Sequence, residues 1–110
     1  MTTTRTENPY PNVPLPAGTY LVEDWVDIGS DSPSRYFEGL HRVVERSGPD
    51  RGAEPIQVYI AGAQTPDGSL EPTEIVVHRL HADEPIMGAA TARQLARALM
   101  AAADDFDRIT

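Results

Sequence analysis

The sequence predicts the α+β class: an antiparallel sheet with one α-helix at its C-terminal end. Three observations carry this. Residues 56–64, IQVYIAGAQ, set Ile56, Val58 and Ile60 on one side, the period-two signature of a strand. The TPDGS that follows is a turn of the Pro and Asp-Gly kind, leading into a return strand at residues 70–80. Residues 89–109 place Ala92, Leu95, Ala96, Leu99, Met100, Ala103 and Phe106 at spacings of three and four, a single apolar stripe. Leu95, Leu99 and Phe106 are the expected helix side of the core.

The remaining elements follow in chain order. Residues 1–18 alternate Pro with small and polar residues, which favours extended chain, so they are expected as a flexible Pro-rich tail on a single domain spanning 19–110. Residues 19–28 form the first expected strand. Tyr20, Val22, Val26 and Ile28 share one face, and Leu21, Glu23, Trp25 and Asp27 share the other. GSDSP then breaks the chain. Residues 34–46 are ambiguous. Tyr36, Phe37, Leu40, Val43 and Val44 fit a helical stripe, with Ser32 as N-cap, Pro33 at the first position and Gly48-Pro49 as a stop. Gly39 and the β-branched and aromatic content suit a strand instead. A helix over 33–47 gives three strands and two helices. Pro72, near the start of the return strand, points to an edge or a bulge. Gly88 occupies the cap position of the last helix.

Composition excludes several function classes. The 110 residues allow one domain with one modest core. Without cysteine there is no disulfide framework, thiolate nucleophile or cysteine-ligated metal centre. The formal net charge is −8, which argues against general nucleic-acid binding, since phosphate contacts need clustered cations. No apolar run approaches the ~20 residues of a membrane span, and the first residues lack the apolar stretch of a secretory signal, so a cytoplasmic location is expected. All nine basic residues are arginine, and the C-terminal part is alanine-rich, a composition typical of GC-rich genomes.

His78, His81, Asp83 and Glu84 crowd a short stretch, but on an extended segment His78 and His81 point to opposite faces and a third ligand is not evident. His78, His81 and Asp83 are therefore weak metal candidates. No catalytic residue and no cofactor site are expected, because GxSxG, P-loop and dinucleotide patterns are all missing. His41 suits a core edge or the surface equally. Trp25, between Glu23 and Asp27 on one strand face, is a candidate interaction residue. Arg93 and Arg97 in the first half of the last helix, with Asp104, Asp105 and Asp107 at its end, oppose the helix dipole and suggest counter-charge from the sheet glutamates or from a partner.

The C-terminal half also resembles a known group. Gly62-Ala63-Gln64 ends a strand, Asp67-Gly68 makes a turn, a return strand follows, and Ala92-Arg93-Gln94-Leu95-Ala96 opens a helix that continues through Ala102-Ala103-Asp104. This order, over residues 56–109, resembles a family of small uncharacterised actinobacterial proteins found in mycobacteria, their phages and prophages. Gly88 and Ala89 depart from the Thr-Pro helix start usual there. By the same resemblance RYFEG, 35–39, is a strand, which implies a four-stranded meander with the helix across one face. No activity is implied. The leading expectation is a small non-catalytic protein-interaction or accessory module, of prophage origin, acting as a homodimer or with a protein partner and without nucleic acid or membrane. Two alternatives are a metal-binding protein or enzyme using His78, His81 and Asp83, and an acidic protein that binds a basic partner.

Overall fold

The computed structural model describes residues 8–46, 54–80 and 87–109. Its elements are β1 (Thr19–Val22), β2 (Arg35–Gly39), β3 (Arg42–Val44), β4 (Ile56–Gln64), β5 (Leu70–His78) and α1 (Ala89–Ile109). All strand pairs are antiparallel. This is the expected α+β class, with five strands among the described residues where about four were expected.

The extra strand comes from a break within one ribbon. β2 and β3 lie along the same edge of β4: Glu38 pairs with Ala61 and Arg42 with Val58. Three residues, 39–41, thus span what two residues of β4 span, a one-residue bulge at the Leu40–His41 corner. With that ribbon taken as one strand the order is a meander: β1, β2/β3, β4, β5. The helical alternative for 33–47 is not adopted. Tyr36, Phe37, Val43 and Val44 satisfy their backbones on β4, and this long-range pairing outweighs the weak local helical pattern.

The first expected strand is shorter than 19–28. After Val22 the chain keeps only the bond from the Glu23 amide to the Tyr36 carbonyl and an isolated bridge between Val26 and Ser34. Asp27 (φ 57°) and Gly29 (φ 92°) then turn the chain in the left-handed region. β5 stops at His78 instead of residue 80, because Arg79 is also left-handed (φ 70°). It is held there by an ion pair with Glu54, and its carbonyl accepts from Arg46 Nη2 at 3.0 Å. Pro72 lies in a bulge of an edge strand, as its position suggested: 72 and 73 together oppose Gly62.

β4 organises the core. Its residues Ile56, Val58, Ile60 and Gln64 are buried and Gly62 is half-buried, so this face of the sheet is the covered one. Two different segments cover it. Over Ile56 and Val58 lies α1, whose Leu95, Ala98 and Ala102 close an aliphatic core with Val44; Ile75, Val77 and Leu99 pack around it. The buried stripe of α1 is Thr91, Leu95, Ala98 and Ala102. It is rotated from the expected one: Ala92 and Ala96 are exposed, and Met100 is 71% exposed. Small side chains at 98 and 102 let the helix backbone approach the sheet, which turns the larger Met100 outward. Phe106 is half-buried.

Over Gln64 lies the N-terminal segment. Residues 8–18, expected as flexible tail, are held to the sheet by specific bonds. Arg35 Nη2 donates to the Val13 carbonyl (3.2 Å), Gln64 Nε2 donates to the Pro14 carbonyl (2.8 Å), and Pro16 is buried. Residues 1–7 lie outside the described residues.

Candidate functional site

Two of the outer strands of the sheet, β5 and β1, differ in chemistry. β5 presents Glu71, Glu74 and His78, all exposed, and carries a bulge at residues 72–73. Charges, proline and bulges are the devices by which edge strands resist pairing with another chain. β1 carries neither charge nor proline on Thr19–Val22, and its pairing with β2 shifts register between Thr19 and Leu21. Among the described residues it pairs with β2 on one side and with no strand on the other. Tyr20 is 64% exposed, and Leu21, Val22, Val26 and Ile28 are exposed beside it. Five apolar or aromatic side chains within nine residues therefore stand beside exposed Glu23, Asp24 and Asp27, with no charge on Thr19–Val22 itself.

The uncovered face of the sheet continues this surface. Cross-strand partners share a face, so Glu38 and Ala61, Tyr36 and Ala63, and Tyr59 and Val76 lie opposite the helix. A polar aromatic cluster stands there. The His41 ring stacks on Tyr59 (centroids 3.9 Å, 10° between planes) and meets Tyr20 at 5.4 Å. His41 Nε2 contacts Glu38 Oε1 at 2.6 Å, and the Tyr36 hydroxyl donates to Glu38 Oε2 at 2.7 Å. Burial, then the hydrogen bond to Glu38, push the Tyr36 phenol well above its ordinary range; burial and the nearby Glu38 charge raise Tyr59 as well. Both phenols thus stay protonated donors at neutral pH. A carboxylate shared by an imidazole and a phenol has the composition of a proton relay. Here the geometry fits another use: flat aromatic rings, fixed by hydrogen bonds, presented on an open sheet face beside a bare edge. Sequence inspection placed His41 without a role. Its signal was present, since Tyr36 and Glu38 alternate onto one strand face and His41 follows the bulge, but it requires 34–46 to be read as strand.

Trp25 was expected on an interaction surface and is buried instead, 7% exposed. Its ring stacks edge-on with Tyr10 (4.8 Å) and lies 4.6 Å from the Arg35 guanidinium. Arg35 is itself buried and donates to Gln64 Oε1 at 2.9 Å; burial lowers its pKa. The pair is a cation–π contact inside the fold. Residues 8–18 supply the cover that makes Trp25 an internal residue. Glu23 and Asp27, its expected companions, are exposed.

The other sequence candidates are dispersed. His78 is exposed at the end of β5, paired with Gln57; His81 and Asp83 lie outside the described residues. Among the described residues no three His, Cys, Asp or Glu side chains gather as a metal site. Arg93 and Arg97 are exposed, and among the described residues neither has an ion pair with Glu71 or Glu74. The acidic helix end is anchored through Asp105, which pairs with Arg42 at 2.7 Å and with Arg108, instead of through Asp104. Among the described residues no helix is long and apolar enough to cross a membrane.

No family model, curated protein or solved structure matches the chain.

Proposed function

We propose that this chain is a non-catalytic interaction module that self-associates through the outer edge of β1, with the Tyr20–His41–Tyr59 cluster extending the contact onto the open face. The observation that carries this is the uncharged, apolar free edge at Thr19–Val22, beside a second edge armed with charges and a bulge. A second copy is the occupant that fits. An antiparallel β1–β1 pair centred on Leu21 sets Tyr20 against Val22 and Glu23 against Thr19, so no like charges face each other. Two-fold symmetry then closes the contact and leaves no further bare edge for growth. Aromatic residues at the margin are the type that anchor interfaces. The formal charge of −8 on each copy opposes association, so added salt strengthens it.

Sedimentation equilibrium of the full chain tests the reading. A reversible monomer–dimer equilibrium is expected, weakened by Leu21→Lys and tightened between low and moderate salt. A concentration-independent monomer would refute it, and association lost on adding salt would favour an acidic surface bound to a basic partner instead.

A further inference from the structure

A cleft of about 370 Å³ opens where the two covers of the sheet fail to meet. Its floor is Phe37, Gly39 and Ile60; Ala17 and Gly18 wall one side, and the last turn of α1 walls the other. Phe37 and Ile60 are 1% and 5% exposed, so the floor belongs to the core. Gly39 has no side chain to fill the space, and its φ is not in the left-handed region, so the backbone does not demand glycine there. At the mouth, the Asp105 carboxylate is shared by two guanidiniums: Arg42 on Oδ2 at 2.7 Å and Arg108 on Oδ1. Two cations on one anion leave one positive charge in excess. Arg108 is 69% exposed and keeps donors free, since a guanidinium carries five. Asp104 and Asp107, within a turn of Arg108 on α1, do not line the cleft, and charges farther off are screened beyond about 10 Å at 0.1 M salt.

We infer that this cleft is a binding site for a small amphiphilic carboxylate, with its apolar body against Leu40, Ile60 and Ile109 and its head group on Arg42 and Arg108. Small-molecule sites have this form: a largely apolar hollow with a few polar groups that fix orientation. At ~30 Å³ per water-sized group the cleft holds about a dozen non-hydrogen atoms, the size of a ten-carbon acid. The charge at the mouth selects the head group, because guanidinium–carboxylate pairing is charge-assisted and can be bidentate. The site is separate from the outer edge of β1, and ligand binding and self-association can each occur without the other.

Decanoate, decanol and decyltrimethylammonium, each below its micelle-forming concentration, are the probes, and backbone amide NMR shifts of the full chain are the readout. Decanoate is expected to shift Gly18, Gly39 and Ile109 saturably, with decanol and the cation weaker. Arg108→Ala should weaken decanoate about tenfold, the loss of one hydrogen bond to a charged group. Gly39→Leu should abolish binding while leaving the spectrum of α1 and β5 unchanged, because a Cβ at residue 39 meets Ile60 at an ordinary 3.6 Å. If Gly39→Leu perturbs the fold, Ala17→Leu, on the opposite wall, replaces it. No saturable shift, equal binding of all three probes, or shifts confined to Tyr20–Val22 that survive cleft filling would each overturn the assignment.

Discussion

β5 pairs directly with β4 and β1 reaches it through β2, and the two outer strands have opposite chemistry. β5 ends the sheet with Glu71, Glu74, His78 and a bulge at 72–73; β1 ends it with Tyr20, Leu21 and Val22 and no charge. Both are equally open to solvent in geometry. The difference teaches that exposure alone does not mark an interface. An edge defended against pairing and an edge left bare are distinguished by which side chains flank their free backbone groups. β1 is also the shorter strand, four residues against nine.

The largest effect expected on this comparison removes what both edges share. Ile56 is 0% exposed and lies under α1. Ile56→Ala should cost about 2–5 kcal/mol in chemical denaturation and loosen both edges together. Loss of structure at one edge only would show that β4 does not couple them. Next in size, Leu21→Lys should weaken self-association at least roughly tenfold, about 1.4 kcal/mol, while the monomer keeps its melting temperature. A mirror experiment sharpens the contrast: Glu71→Thr with Glu74→Val strips the charges from β5. Light scattering should then show new, open-ended association in place of a tighter dimer, because two bare edges allow chains to add in series.

The smallest effect is one of pH, confined to the β5 side. In the β4–β5 turn, Gly68 is left-handed (φ 89°), and the Asp67 carboxylate accepts from the Ser69 amide at 2.8 Å and from the Thr65 hydroxyl. These bonds, the Thr65 hydroxyl first, lower the Asp67 pKa to about 2 from its ordinary 3.8. A depressed carboxylate contributes fully above its unfolded value and loses its contribution as pH falls through the folded one. Protection of the Gly68 and Ser69 amides, taken relative to the intrinsic exchange rate at each pH, should therefore fall between pH 4 and about 2, with the β1 amides unaffected through this route. An unchanged hairpin across that range would mean that the Asp-Gly turn holds without its carboxylate.

The parts of this fold legible in the sequence are those decided locally. IQVYIAGAQ and the helix at 89–109 carry their own periodicity and end signals, and both occur at the expected boundaries. Residues 34–46 were undecided because pairing with β4 makes them a strand, and local periodicity holds no record of a partner 12 to 29 residues away. The helix stripe was misplaced by counting Met100 and the exposed alanines as core, when Ala98 and Ala102 do the packing. Trp25 looked like a surface residue because its cover, residues 8–18, has the composition of a tail. What holds that cover is a buried arginine and glutamine, Arg35 and Gln64, from strands far along the chain. The cleft was invisible for a related reason: Ala17, Gly39, Ile60 and Arg108 become neighbours only once both covers are in place.

The bare edge of β1 is the central claim, and amide hydrogen exchange measured at rising protein concentration tests it most directly. Dimerisation should slow exchange at amides within Tyr20–Val22 as concentration increases, and leave Glu71–Val77 on the β5 edge at constant rates. Concentration-independent exchange at β1, or protection that appears on β5 instead, would contradict the account.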